Sequence, residues 1–312
     1  MHFINLAIDN KIIALIGPTG IGKTKLSLAM AEAFSCEIVS VDSMQIYRFM
    51  DIGTAKATHE ERQRVQHHLI DIVDPDTEYN LARYIEDAQQ ACNNIAARGK
   101  TPLLVGGTGL YLKGLLEGVF SLPPVKESLR KELQQQLAEK GRASLYSELQ
   151  SIDPESAARI HPNDTHRLLR ALEIFYATGI PWAEHQQSYN YGPPLRNVLK
   201  IGLTCDREEL YQRINARVTT MIEEGFLQEV QKLLERGYSP DLPSMKSLGY
   251  RHLLCFISGE WSWDHAAFIL ARDTRRYAKR QFTWFHKDES INWFNPQQQN
   301  EIFSLINNFL MS

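Results

Sequence analysis

Ile12-Ile13-Ala14-Leu15-Ile16, then Gly17-Pro18-Thr19-Gly20-Ile21-Gly22-Lys23-Thr24, then Lys25-Leu26-Ser27-Leu28-Ala29, read in order as a buried strand, a phosphate-binding loop and the start of a helix. The middle segment satisfies the spacing G-x-x-x-x-G-K-[ST] in the strand-then-helix setting that gives the motif its meaning. Three physical devices converge on an anion. Glycines let backbone N–H groups turn onto it, the new helix points its positive end at it, and Lys23 adds a full charge. Thr24 offers a hydroxyl to a Mg2+ shared with the phosphates. The loop predicts a phosphate or diphosphate site. It does not say whether the phosphate is transferred, hydrolysed or discarded.

Outward from the loop, short apolar runs alternate with helical patterns, which favours an α/β fold with a parallel sheet covered by helices. The expected strands are 12–16, 37–41, 69–73, 102–105 and, after a long detour, 198–204. From 117 to 197 the pattern is helical and polar, with Leu129, Leu133 and Leu137 at i+4 spacing and Gly141 placed as a helix stop. This reads as a helical insertion, introduced by the rigid Leu122-Pro123-Pro124, on a core made of 1–116 and 198–312. A helix in the insertion is expected to start near Asn163-Asp164, turn Leu168, Leu169, Leu172 and Phe175 inward, and end at Gly179. After the fifth strand, Leu210, Ile214, Val218 and Met221 predict another amphipathic helix, with Arg213 and Arg217 on a different face. The tail around Gln297-Gln298-Gln299 carries no motif.

With 312 residues, 43% apolar and 23% charged, the chain is large enough for a substantial core and has the balance of a soluble globular protein. Cys36, Cys92, Cys205 and Cys255 are far apart and form no C-x-x-C pair, so reduced structural cysteines are expected rather than a zinc site. Met1 to Leu6 lacks a basic start and a long apolar run, and no segment is apolar enough to span a bilayer, so no membrane association and a cytoplasmic location are expected. Nothing long, apolar and exposed suggests an obligate interface, and a monomer is expected. The net charge of −3 argues against indiscriminate polyanion binding. Charge is nonetheless uneven: Arg272, Arg275, Arg276, Lys279, Arg280 and Lys287 gather against a lone acid, Asp273.

In an open parallel sheet, ligands sit at the carboxyl ends of the strands. That rule singles out Asp42, directly after the second strand, and Gly106-Gly107-Thr108-Gly109 after the fourth. A phosphoryl-transfer enzyme with this loop usually places a Mg2+-organising aspartate at an apolar strand end. Here that strand ends in glycines, although Asp71 and Asp74 stand in reserve. Asp42 can cap the segment after it, orient a hydroxyl or act as a base. The polar and aromatic residues that follow, Ser43-Met44-Gln45-Ile46-Tyr47, favour a role at an acceptor. Near the C-terminus, cations interleave with Tyr277, Phe282, Trp284 and Phe285, the combination that holds single-stranded nucleic acid. A solvated helix face with its aromatics in the core is the plainer reading of that segment alone. Arg167, Arg170, Lys246 and Arg251 add cations for an extended partner.

These segments, taken in order, closely resemble the bacterial tRNA dimethylallyltransferases, the IPP transferase family. The resemblance is carried by the phosphate loop; Ser40-Val41-Asp42-Ser43 with Ile46-Tyr47; Met50-Asp51-Ile52-Gly53-Thr54-Ala55-Lys56; and Leu103-Leu104-Val105-Gly106-Gly107-Thr108 with Leu110-Tyr111. It continues through Ala157-Ala158-Arg159-Ile160-His161-Pro162-Asn163-Asp164, Leu248-Gly249-Tyr250-Arg251, and Ala278-Lys279-Arg280-Gln281 with Thr283-Trp284. Gly20-Ile21 stands where many relatives have Ala-Ser, and Gly109 where some carry a larger residue.

The resemblance implies a P-loop, nucleotide-kinase-like core, a helical insertion that grips the anticodon stem-loop of tRNA, and Mg2+. It implies transfer of a dimethylallyl group from dimethylallyl diphosphate to the exocyclic amine of the adenine next to the anticodon. The implied diphosphate site is Gly17, Pro18, Thr19, Gly20, Ile21, Gly22, Lys23 and Thr24, with Thr24 on the metal. The implied catalytic set is Asp42 as base, Lys23 and Arg217 on the leaving group, and Thr19 fixing the loop. Implied tRNA contacts are Asp42, Ser43, Met44 and Gln45; Thr108 and Arg130; His166, Arg167, Leu168, Leu169 and Arg170; and Lys246, Ser247, Leu248, Gly249, Tyr250 and Arg251. Lys279, Arg280, Gln281, Phe282, Thr283, Trp284, Phe285 and His286 complete them. A small-molecule kinase, a prenyltransferase acting on free adenylate and a non-catalytic RNA-binding protein are the competing readings. The D-D-x-x-D signature of chain-elongating prenyl synthases is absent.

Overall fold

The computed structural model describes residues 11–118, 125–188 and 197–312. The expectations for Met1 to Leu6 and for Leu122-Pro123-Pro124 lie outside those residues. The first stretch runs β1 (Ile12–Ile16), α1 (Lys23–Ala33), β2 (Cys36–Val41), α2 (His59–Arg64), β3 (His67–His68), α3 (Leu81–Ala97), β4 (Thr101–Gly106) and α4 (Gly109–Glu117). The second holds α5 (Glu127–Ile152), α6 (Pro154–Arg159), α7 (Thr165–Thr178) and α8 (Trp182–Ser188). The third runs β5 (Val198–Leu203), α9 (Arg207–Glu223), α10 (Phe226–Glu235), α11 (Tyr250–Ile257), α12 (Trp263–Phe285), β6 (Asn292–Phe294) and α13 (Gln299–Met311).

The strands form one sheet in the order β3-β2-β4-β1-β5-β6, and every described pairing is parallel. Helices cover a parallel sheet on both faces, so its strands are apolar throughout. Every residue of β1 and β2 is buried. Register then levels the strand ends: Ile16 pairs with Gly106 and Gly202, and Gly106 pairs with Val41. Gly17, Asp42 and Gly107 therefore leave the sheet from one rim.

Two expectations about the sheet are corrected. The strand expected at 69–73 is instead the two-residue β3, His67–His68. Leu69 and Asp71 adopt φ of 62° and 57°, a region incompatible with extended pairing. The Asp71 carboxylate binds Lys56 and Arg62, each at 2.6 Å, which holds the turn. The C-terminal stretch, which carries no motif, supplies the edge strand β6 and the helix α13, whose Ile302 and Ile306 are fully buried in the core.

The chain divides into two compact units, 1–116 with 195–312, and 117–194. Within the second, α5 to α8 pack around Leu133, Leu145, Leu149, Leu168 and Leu172. Gly141, at φ 76° and ψ 163°, breaks α5. Asp164 caps α7 by accepting from the Arg167 N–H, and Gly179 ends it at φ 73°. Leu168 and Leu172 turn inward, but Leu169 and Phe175 are only partly buried while Ile174 is fully so. α7 packs against both α5 and α8, so its buried face is wider than a single apolar stripe.

Glu37 is the charged exception inside β2, and only 4% exposed. Burial by itself raises its pKa, but hydrogen bonds from His68, Lys100 and Arg98 prevail and hold it at about 2. It thereby ties the edge strand and the β4 approach to β2. Because the folded pKa lies below the ordinary 4.5, the stabilisation is present above that pH and is lost as pH falls towards 2. Glu37→Gln should lower stability at pH 7 by roughly 2–3 kcal/mol. In urea melts, its gap from the wild type should narrow between pH 4.5 and pH 3.

Candidate active site

The phosphate loop is closed by its own lysine. Lys23 Nζ donates to the carbonyls of Gly17 at 2.9 Å and Pro18 at 2.8 Å. Gly22 takes the left-handed conformation, φ 105°, as the N-cap of α1, which lacks both a side-chain cap and an acid in its first turn. The first N–H groups of that helix are therefore available to an anion. Arg213 braces the loop from α9 by donating to the Ile21 carbonyl at 3.2 Å.

A cavity of about 630 Å3 opens beside the loop, and Thr19, Lys23, Thr24, Asp42, Arg217 and Gln281 are among its lining. Burial pushes the Lys23 pKa down to about 7; the Arg217 charge adds to this and Asp42 opposes it. Burial also lowers the pKa of Arg217, again against the pull of Asp42. Arg217 has no ion pair or hydrogen bond among the described residues. Two crowded cations thus share one nearby carboxylate, an arrangement completed electrostatically by a multivalent anion.

Asp42 Oδ1 accepts the N–H groups of Met44 at 2.8 Å and Gln45 at 3.3 Å. Its capping role and its place in the cavity coexist, because Oδ2 has no partner among the described residues. Ser43 N–H donates to Thr108 Oγ1 at 3.2 Å, joining the rims of β2 and β4. Gln45 spends its amide inside the protein: it accepts from Ser40 at 3.1 Å and donates to the Thr54 and Ala55 carbonyls at 3.3 Å.

Ser247 and Leu248 line the same cavity, and the Ser247 Oγ is buried without a hydrogen-bond partner among the described residues. Lys246 and Arg251 are exposed and pair with Asp241 at 2.8 Å and Asp273 at 3.0 Å. Gly249 is buried too, at φ 96°. Along α12, Lys279, Arg280, Thr283, Trp284 and, just beyond it, His286 are exposed, while Phe282 packs on the core. In the insertion unit, His166 and Arg167 are exposed on the first turn of α7. Arg130 and Arg170 approach a common carboxylate, Glu173, at 3.9 and 3.0 Å.

Three expected contacts are corrected. Leu168 and Tyr250 are 0% exposed and Phe285 3%. They have no surface to offer a partner and instead support the residues beside them. Asp71 and Asp74 are also committed, the first to Lys56 and Arg62, the second to Arg48 at 3.1 Å. Sequence reasoning missed Tyr277 as a cavity residue and Glu229 as a support. Tyr277 lies four residues before Gln281 and shares its face of α12, a spacing that marked it. Glu229 accepts from the backbones of Asp51, Ile52 and Gly53 and from the Tyr250 hydroxyl, and nothing local in the sequence signals this.

A family model described as IPP transferase matches residues 45–288, and one described as isopentenyl transferase matches residues 10–75. The chain belongs to the IPP transferase family. A tRNA dimethylallyltransferase of Desulfotalea psychrophila is 49% identical over 97% of this chain and 96% of its own. One from Geobacter sulfurreducens is 46% identical over 91% of each. Among solved structures, the tRNA isopentenylpyrophosphate transferase of Bacillus halodurans aligns at a TM-score of 0.72, with 40% identity over 97% of each chain. A eukaryotic dimethylallyltransferase acting on tRNA aligns at 0.83, with 28% identity over 97% of this chain and 80% of its own. The core is thus the P-loop, kinase-like fold of this family.

The absence of a side chain at Gly109 has a local reason. A Cβ on it would lie 2.1 Å from Trp284 Cδ1, so the indole rests directly on the start of α4. The residues present also fit a Mg2+ held mainly by a ligand. Among the described residues no group of three or more His, Cys, Asp or Glu side chains is placed to cage a metal. Thr24 is exposed at the cavity, and its hydroxyl has no partner among the described residues. Such a site suits an ion that keeps its waters and takes phosphate oxygens.

The lowered pKa of Lys23 carries a stability sign. A folded state that binds fewer protons than the unfolded one gains stability as pH rises from about 7 towards 10.5. Without ligand, Lys23→Met should therefore match or exceed the wild type in melting temperature at pH 7, with that advantage shrinking by pH 9.5. Saturating inorganic pyrophosphate should stabilise the wild type more than the variant, as differential scanning fluorimetry would report.

Proposed function

We propose that this chain transfers a dimethylallyl group from dimethylallyl diphosphate to the exocyclic amine of the adenine 3′ to the anticodon, in tRNAs reading codons that begin with U. The products are isopentenyladenosine and diphosphate. The observation that carries the reading is the grouping of Lys23, Arg217 and Asp42 in one cavity beside the phosphate loop. In the step, the allylic C–O bond of the diphosphate breaks and a bond forms from the adenine nitrogen to that carbon. The departing anion gathers charge where Lys23, Arg217 and the N–H groups at the start of α1 lie, so they stabilise the transition state more than the ground state. Asp42 accepts the proton released by the amine. Thr19 and the rest of the loop orient the diphosphate, and a base taken out of its stack is aligned in a cavity that limits water. When bound at Thr24, Mg2+ supplies further charge neutralisation on the diphosphate.

The exposed cations of α12, with Lys246 and Arg251, hold the RNA backbone, and the insertion, through His166, Arg167, Arg170 and Arg130, grips the anticodon stem-loop. A phosphoryl-transfer reading is disfavoured, because Asp71 and Asp74 are bound in ion pairs. The decisive assay incubates the protein with unmodified tRNA and labelled dimethylallyl diphosphate and identifies the labelled nucleoside after digestion. Isopentenyladenosine from tRNA is expected, and label found solely in free nucleotide overturns the proposal. In single-turnover transfer, Asp42→Ala should be slower by about 10²-fold or more, with Ser43→Ala much less affected. Equal effects at unchanged tRNA affinity would remove Asp42 as the base.

A further inference from the structure

We propose that Gln281 is a positioning residue that couples occupancy of the cationic outer face of α12 to the affinity of the phosphate loop. The inference rests on the reading of that face as a surface for RNA. Gln281 is 7% exposed, and both ends of its amide are engaged. Its Oε1 accepts the backbone N–H of Thr19 at 2.9 Å, and its Nε2 donates to the carbonyl of Gly107 at 2.9 Å. One side chain from a helix distant in sequence thus spans the phosphate loop and the rim of β4. The fit leaves no slack: a Cβ on Gly107 would lie 2.2 Å from Gln281 Nε2.

The same rim reaches the acceptor side. Thr108 N–H donates to the Val41 carbonyl at 3.1 Å, and Thr108 Oγ1 accepts from Ser43, the neighbour of Asp42. Trp284, one turn beyond Gln281, rests on Gly109. The inner face of α12 therefore touches the structures that hold both the leaving group and the base. Its outer face carries a groove of about 410 Å3 lined by Arg276, Lys279, Arg280, Thr283, Trp284 and Lys287. A buried polar side chain that is fully hydrogen-bonded is costly to displace, so a shift of this helix moves the Thr19 peptide with it. A polyanion on the groove favours one placement of α12, and that placement sets the loop.

Calorimetry of inorganic pyrophosphate binding to the full chain, with and without a saturating unmodified anticodon stem-loop RNA, tests the coupling. In the wild type the RNA should tighten pyrophosphate binding by about fivefold or more, with the reciprocal effect on RNA affinity. In Gln281→Met, similar in length but lacking both hydrogen bonds, the factor should fall to about one. A factor taken as a ratio within one protein is not moved by uniform damage to either site. Gln281→Glu keeps the acceptor for Thr19 and loses the donor to Gly107. It should lower the factor as well, and it carries the test if the methionine variant does not fold. Independent affinities in the wild type, or a wild-type factor in both variants, overturn the inference. A wild type that neither binds nor modifies the RNA overturns the functional reading and this inference together, whereas one that modifies RNA without coupling overturns this inference alone.

Discussion

The parallel register of β2, β4 and β1 is the constraint on which the site depends. Because Val41, Gly106 and Ile16 are level across the sheet, the residues that follow them emerge side by side. Gly17 opens the phosphate loop, Asp42 the acceptor segment and Gly107 the bridge to α12. A slip of one residue would turn every side chain of a strand to the opposite face. With both faces of β1 and β2 buried, such a slip exposes nothing useful and breaks the packing on both sides.

Upon that rim the protein assembles a deliberate electrostatic imbalance. Lys23 and Arg217 are drawn from helices on different parts of the chain, and each is held in surroundings that disfavour its charge. Asp42 offsets them in part. The imbalance persists because the surrounding structure is braced by pairs that are balanced: Glu37 with His68, Arg98 and Lys100, and Lys56 with Asp51 and Asp71. The balanced ion pairs involve residues other than Lys23, Arg217 and Asp42, and those two cations, without an ion pair among the described residues, line the site. That separation suits a pocket whose ligand brings the missing negative charge.

The helix α12 shows how one element serves two surfaces. Helical periodicity sends Tyr277, Gln281 and Phe285 inward and Lys279, Arg280 and Thr283 outward. Its sequence shows cations mixed with aromatics, and two readings of that mixture compete until packing is known. The structure divides it: Phe285 joins the interior, Tyr277 lines the cavity and Trp284 stays at the surface against Gly109. A periodicity of 3.6 residues is visible in sequence, but which face meets the core depends on the elements opposite it.

Local sequence alone was enough for the phosphate loop, the parallel α/β core, the helical character of the described residues 125–188 and the family. Each rests on residues close together in the chain, where spacing, glycine placement and apolar runs act locally. It also marked Asp42, because a residue after a buried parallel strand must fall on the ligand-bearing rim. Tertiary structure alone decided that Asp71 belongs to a turn, that 292–294 is an edge strand, and that Leu168, Tyr250 and Phe285 are interior. It also decided that Gln281 bridges Thr19 and Gly107 and that Glu229 holds the 51–53 turn. The Gln281 and Glu229 contacts join residues from 174 to 262 positions apart, a separation that no local pattern encodes.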